Sequence, residues 1–163
     1  MDHTKNGIVT REQFESRLPS DERRKKGPYV VFECFQEIPC NPCSTSCRFG
    51  AVLPMEDINR TPEVNTDNCT GCAVCVSKCP GLAAFVIDET YAPGKVLIKM
   101  PYEMLPVPEK GDIVDALDRE GKAVAEGEVV SVVSGKSTDR TNVIGILVDQ
   151  SLIYDVRNFR VRG

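Results

Sequence analysis

The spacing of the cysteines is the feature that most constrains what this chain can fold into. Residues 69–80 read CTGCAVCVSKCP, which is the pattern C-x₂-C-x₂-C-x₃-C-P. The two-residue gaps curl the backbone into a tight loop, so that three thiolates can reach three irons of one cube-shaped iron–sulphur cluster. Gly71 allows that backbone to approach closely. The segment therefore predicts a [4Fe–4S] site.

A second group of cysteines lies earlier in the chain, at Cys34, Cys40, Cys43 and Cys47. Residues 43–47 match the C-x₃-C end of the pattern at 69–79. The same pattern would place its first cysteine at residue 37, but that residue is Glu37. Cys34 would have to fold back through the loop at Pro39 to reach the same site. If Cys34 is only a buried strand cysteine, the site has three thiolates and would hold a [3Fe–4S] cluster or recruit Glu37.

The eight cysteines could also be interpreted as four disulfides. However, the N-terminus lacks the charged-then-apolar layout of a secretory signal. No apolar run approaches the ~20 residues that a membrane helix needs. We therefore expect a cytoplasmic protein without a membrane span, and clustered cysteines in that compartment usually bind metal rather than form disulfides.

Zinc is the competing metal. Cys40 with Cys43, and Cys69 with Cys72, have the spacing of a zinc ribbon. That arrangement would leave four cysteines without a role, whereas two iron–sulphur clusters use all eight. The complete use of the cysteines favours iron–sulphur clusters.

The net charge and the lack of other known motifs limit the classes of function that the chain can have. The formal net charge of −4 gives no reason to expect nucleic-acid binding. An acidic carrier suits a partner with a basic docking patch. The sequence contains no nucleophile–base constellation and no dinucleotide-binding glycine fingerprint. We therefore expect no substrate site on this chain.

Composition divides the chain into three parts. We expect an N-terminal extension, a domain that holds every cysteine and a cysteine-free β domain, at residues 1–27, 28–104 and 105–163 respectively. Runs rich in β-branched and aromatic residues between turn residues predict strands. These runs are 29–32, 84–87, 95–98, 112–117, 123–133, 142–148 and 155–161.

The N-terminal extension carries two local signals. Thr10 and Gln13 have the spacing of a capping box, which predicts a short helix. The basic run at 23–27 is interpreted as a solvated linker, because charge runs usually face water.

Over about residues 28–100 the two cysteine groups resemble those of bacterial two-[4Fe–4S] ferredoxins, in which the fourth cysteine of each group ligates the other cluster. The resemblance implies two ligand sets, Cys34, Cys40, Cys43 and Cys79 (the first quartet) and Cys69, Cys72, Cys75 and Cys47 (the second quartet). It also implies the fold class α+β: a two-cluster ferredoxin-like domain followed by a small all-β barrel or sandwich.

A narrower resemblance concerns residues 31–43, VFECFQEIPCNPC, together with the cysteine-free tail. This layout resembles the small iron–sulphur subunits of flavin-dependent amino-acid and amine dehydrogenases, the proline, hydroxyproline and sarcosine oxidase-like complexes. It implies an electron-transfer subunit that relays electrons from an FAD- or FMN-containing flavoprotein dehydrogenase partner to a one-electron acceptor. Two other hypotheses are a free, diffusible two-cluster ferredoxin and a purely structural metal module.

Overall fold

The structure is a computed structural model and describes residues 3–138 and 140–162. Within them the strands are β1 (Tyr29–Phe32), β2 (Ala84–Asp88), β3 (Lys95–Tyr102), β4 (Ile113–Leu117), β5 (Ala123–Val133), β6 (Asn142–Asp149) and β7 (Asn158–Val161). The α-helices are α1 (His3–Asn6), α2 (Arg11–Ser16), α3 (Asp21–Arg24), α4 (Pro42–Ser46) and α5 (Val74–Lys78). None of the described helices has the length and apolar character needed to cross a bilayer.

The seven strands form one antiparallel sheet in the order β1-β2-β3-β6-β5-β4-β7. The pairing of β3 with β6 lies at its centre and runs from Lys95 opposite Asp149 to Tyr102 opposite Asn142. Between β4 and β5 the chain reverses at a short loop in which Gly121 has a φ of 82°. Glycine is favoured at such a positive φ because it has no Cβ.

This sheet shows that the predicted fold class is wrong. We expected an α+β ferredoxin-like domain followed by a separate β barrel or sandwich, but no separate ferredoxin-like domain is evident beside the seven-stranded sheet. The reason is that β3 of the cysteine-bearing segment pairs along its whole length with β6 of the C-terminal segment. The division at 1–27, 28–104 and 105–163 stays a prediction, because strand pairing alone does not define where a domain ends.

The N-terminal extension packs against the rest of the chain. The predicted capping box is confirmed: the Thr10 side chain accepts from Gln13 N at 3.2 Å, and the Gln13 side chain accepts from Thr10 N at 2.9 Å. Phe14 of α2 is buried in the core. The interpretation of residues 23–27 as a solvated linker is wrong at Arg23, which lies in α3 and is 7% exposed.

Strand β1 is buried on both faces, because different parts of the chain cover each face. Alternate residues of a strand point to opposite faces. Tyr29 and Val31 join the apolar cluster formed by α2 and the C-terminal strands. Val30 and Phe32 join a second cluster that contains most of the cysteines. The cysteine loops therefore pack directly on the β1 and β2 end of the sheet.

A buried ionic cluster connects the C-terminal segment to the cysteine-bearing segment. Glu33, which follows β1 and precedes Cys34, accepts hydrogen bonds from Arg119 and from Arg157, the latter at 2.9 Å. All three side chains are less than 10% exposed. Burial lowers the pKa of Arg157 to about 10, and the carboxylate of Glu33 opposes this effect. Glu33 therefore balances two buried cations.

We expect Glu33→Ala to destabilise the protein, because it leaves two buried guanidinium groups without their carboxylate. Breaking a buried ion pair from one side costs about 3–5 kcal/mol. Anaerobic urea unfolding followed by circular dichroism should show a clearly lower midpoint than in the wild type. Glu120→Ala is the matched control, since Glu120 makes only an exposed pair with Lys122. Equal midpoints for the two variants would contradict the role of Glu33.

Candidate metal centre

Two short helices carry the ends of the two cysteine motifs in matching positions. The third cysteine of each motif lies inside its helix, Cys43 in α4 and Cys75 in α5. The fourth cysteine, Cys47 or Cys79, is the residue at which the helix ends and takes an extended conformation. Each fourth thiol is therefore separated by one helical turn from the other thiols of its own motif.

The backbone before α5 adopts conformations that few residue types favour. Gly71 has a φ of 74° and Ala73 a φ of 65°. A Cβ at Gly71 would lie 2.5 Å from Cβ of Pro28, which is too close for any real contact. Glycine at position 71 therefore allows the loop from Cys69 to Cys72 to lie against the chain entering β1.

The four thiols of the second quartet line one cavity. Its wall contains Cys47, Cys69, Cys72 and Cys75, and the rest is mostly apolar, including Val30, Phe49, Val52 and Val86. The pKa of Cys75 is raised to about 12, by burial first, then by the charges of Cys69, Cys72 and Cys47, and last by that of Cys43 from the first quartet. The structure therefore brings Cys47 of the first motif to the three leading thiols of the second.

The thiols of the first quartet also lie within electrostatic reach of one another. Burial raises the pKa of Cys34, and the charges of Cys79 and Cys40 raise it further. The pKa of Cys43 is raised to about 11 by burial, with added effects from the charges of Cys79, Cys40 and Cys34. Cys34 thus lies within electrostatic reach of the other members, whereas Glu37, the alternative ligand, is exposed.

The contact between α4 and α5 explains why the fourth cysteine of each motif lies near the thiols of the other motif. The two helices pack against each other, so that the residue ending one helix comes close to the thiols of the other motif. Cys79 therefore lies near Cys43, and Cys47 lies near Cys75.

Backbone N–H groups surround the sulphur atoms at the helix ends. Burial would raise the pKa of Cys47, but hydrogen bonds from the N–H groups of Val52, Phe49, Ala51 and Gly50 outweigh burial and lower it. The N–H of Ala83 donates to Sγ of Cys79 at 3.4 Å. Such donors favour a thiolate over a thiol, as a metal-bound sulphur requires.

The donor set fits iron–sulphur clusters. Thiolates are the ligands of these clusters, and four are needed for each [4Fe–4S] cube. Without metal, the raised pKa values of Cys43 and Cys75 keep both thiols protonated at neutral pH, so binding must release protons. Among the residues described, no group of three or more His, Cys, Asp or Glu side chains is close enough to hold a single metal ion.

Two arginines of the N-terminal extension contact the cysteine loops, and the sequence analysis did not identify them. Arg17 donates to the carbonyl of Cys34 at 3.3 Å, and Arg23 donates to the carbonyl of Cys69 at 2.9 Å. Burial lowers the pKa of Arg17, while the charges of Cys34 and Glu63 raise it. The only local signals in the sequence are the helix caps that precede each arginine, and these do not indicate burial.

Comparison with known proteins matches one segment of the chain. The family described as the 4Fe-4S binding domain, Fer4, matches residues 62–84, which include the second motif and α5. No curated protein and no solved structure matches the chain. The family match supports an iron–sulphur, ferredoxin-like protein that binds a [4Fe–4S] cluster and has an electron-transfer role. The matched segment does not include Cys34, Cys40, Cys43 or Cys47, so the full ligand set stays a prediction.

We expect Cys79→Ser and Cys34→Ser to damage the same cluster, and Cys47→Ser and Cys75→Ser to damage the other. The reason is that each fourth thiol lies among the thiols of the opposite motif. EPR spectra of the anaerobically reduced variants should therefore fall into these two pairs. If the spectra instead group Cys79→Ser with Cys75→Ser, Cys79 ligates the same cluster as the other cysteines of its own motif, and the prediction is wrong.

Proposed function

We propose that this protein relays electrons through two [4Fe–4S] clusters, one held by the first quartet and one by the second. The observation that carries the proposal is that each fourth cysteine lies near thiols of the other motif: Cys47 lines a cavity with Cys69, Cys72 and Cys75, and Cys79 lies within electrostatic reach of Cys34 and Cys43. When bound, such clusters each accept and pass on one electron at a time.

The residues around the quartets have distinct tasks in this proposal. The packing of α4 against α5 keeps the two quartets next to each other. The apolar wall that includes Val30, Val52 and Val86 covers the buried side of the second quartet around Cys75, whereas Cys72 is exposed. This partial exclusion of water affects the reduction potential. The N–H groups near Cys47 and Cys79 donate to sulphur and stabilise the added negative charge.

We further propose that the electrons come from a flavoprotein, an amino-acid or amine dehydrogenase subunit with FAD or FMN. A flavin oxidising a substrate takes up two electrons, and two one-electron centres can carry them away singly. Exposed apolar side chains beside the quartets support docking at this end of the molecule. Ile38 is 50% exposed, Phe49 48% and Leu82 42%, and each lies within three residues of a quartet cysteine.

A free, diffusible ferredoxin is the second candidate. The C-terminal segment would be unnecessary in a diffusible carrier if it served only for docking. However, β6 lies in the middle of the sheet and pairs with β3 on one side and β5 on the other. The segment therefore has a structural role that a free carrier would also need. Its presence is thus compatible with a free, diffusible ferredoxin.

We expect about eight iron and eight sulphide per chain after anaerobic purification, because four of each form one cube and the proposal gives the chain two ligand sets of four cysteines. Metal and sulphide analysis of the purified protein tests this expectation. Four of each would indicate that only one quartet is loaded. Stoichiometric zinc without sulphide would overturn the proposal.

We expect the natively produced protein to co-elute in size-exclusion chromatography with a partner protein that contains bound flavin. Ile38→Glu should reduce this co-elution, because it places a charge on the exposed apolar surface beside the first quartet. Ile113→Glu is the matched control: Ile113 is 46% exposed on β4 and lies outside the cysteine-bearing segment. A wild-type protein that retains its clusters but elutes alone would favour the free carrier.

A further inference from the structure

Arg23 is a buried cation whose guanidinium donates to four backbone carbonyls. It is 7% exposed. Nε donates to the carbonyl of Thr66 at 2.7 Å and Nη1 to that of Gly27 at 3.1 Å. Nη2 donates to the carbonyls of Pro28 at 2.8 Å and Cys69 at 2.9 Å. None of the ion pairs found between described residues includes Arg23, so no carboxylate neutralises its charge directly.

Arg17 occupies an equivalent place beside the other quartet. Nη1 donates to the carbonyl of Pro62 at 3.0 Å and Nη2 to that of Cys34 at 3.3 Å. The guanidinium also lies over the ring of Phe35, 4.6 Å from its centroid. Arg17 is therefore close to the first cysteine of the first quartet.

The two arginines share one arrangement. Each comes from the N-terminal extension and donates to the carbonyl of the cysteine that begins a quartet, Cys34 or Cys69. Helix caps at Thr10 and Ser20 hold the segments from which they project. Neighbouring arginines differ, because Arg24 on α3 pairs with the carboxylate of Glu89 at 2.7 Å.

We propose that Arg17 and Arg23 are positioning residues that raise the reduction potentials of the two clusters separately, Arg17 at the first quartet and Arg23 at the second. A fixed positive charge stabilises a cluster after it has gained an electron, and the net charge around a cluster is one of the determinants of its potential. The hydrogen bonds to the cysteine carbonyls hold each charge at a constant place. This inference rests on the proposed loading of both quartets.

The test is an EPR-monitored redox titration of the intact protein and its variants under anaerobic conditions. Iron and sulphide are measured first, so that a wild type without two clusters identifies a failure of the proposed function rather than of this inference. Arg17→Gln and Arg23→Gln remove one charge each. Arg24→Gln is the matched control, because it lies next to Arg23 on α3 but pairs with Glu89.

We expect Arg23→Gln to shift one of the two potentials to a more negative value and Arg17→Gln to shift the other, with Arg24→Gln close to wild type. Arg17→Lys and Arg23→Lys should each keep the corresponding potential close to the wild-type value, because lysine keeps the positive charge. Unchanged potentials in the two glutamine variants with intact clusters would overturn the inference, as would an equal shift in Arg24→Gln. If a glutamine variant loses its clusters, a large negative shift in the corresponding lysine variant would overturn it too.

Discussion

The pairing of β3 with β6 joins two parts of the chain that differ completely in composition. β3 belongs to the cysteine-bearing segment, whereas β6 belongs to a segment without cysteine. Because β6 also pairs with β5, this contact makes the C-terminal strands part of the same sheet that supports the cysteine loops. The ionic cluster of Glu33 with Arg119 and Arg157 makes a second connection between the two parts, one residue before Cys34.

The sheet provides the rigid surface on which the metal centre is built. One face of β1 and β2 packs against the cysteine loops, and the opposite face packs against α2 and the C-terminal strands. The mutual packing of α4 and α5 then places the thiols of two distant motifs side by side. The N-terminal extension completes the arrangement by donating from Arg17 and Arg23 to the cysteine loops. The loops are thus held from several directions by protein groups.

Local patterns in the sequence were good predictors of local structure. The capping box at Thr10 forms, and the strand predicted at 123–133 has the observed bounds of β5. The strand predicted at 155–161 begins only at Asn158, because the chain before it makes a turn closed by the N–H of Val156 and the carbonyl of Leu152. The capping box depends on a contact between near neighbours, and the bounds of β5 follow a run of β-branched residues, so short patterns describe both well.

The type of metal centre could be predicted from the number and spacing of the thiols and from the glycine at residue 71, and most of the strands could be predicted from short residue patterns. The three-dimensional structure is needed to see that these strands form one sheet, that Cys34 lies near Cys40 and Cys79, and that Arg17 and Arg23 contact the cysteine loops. The physical reason is that strand pairing and burial depend on contacts between residues far apart in the chain. A run of basic residues looks the same in sequence whether it faces water or lies beneath a loop.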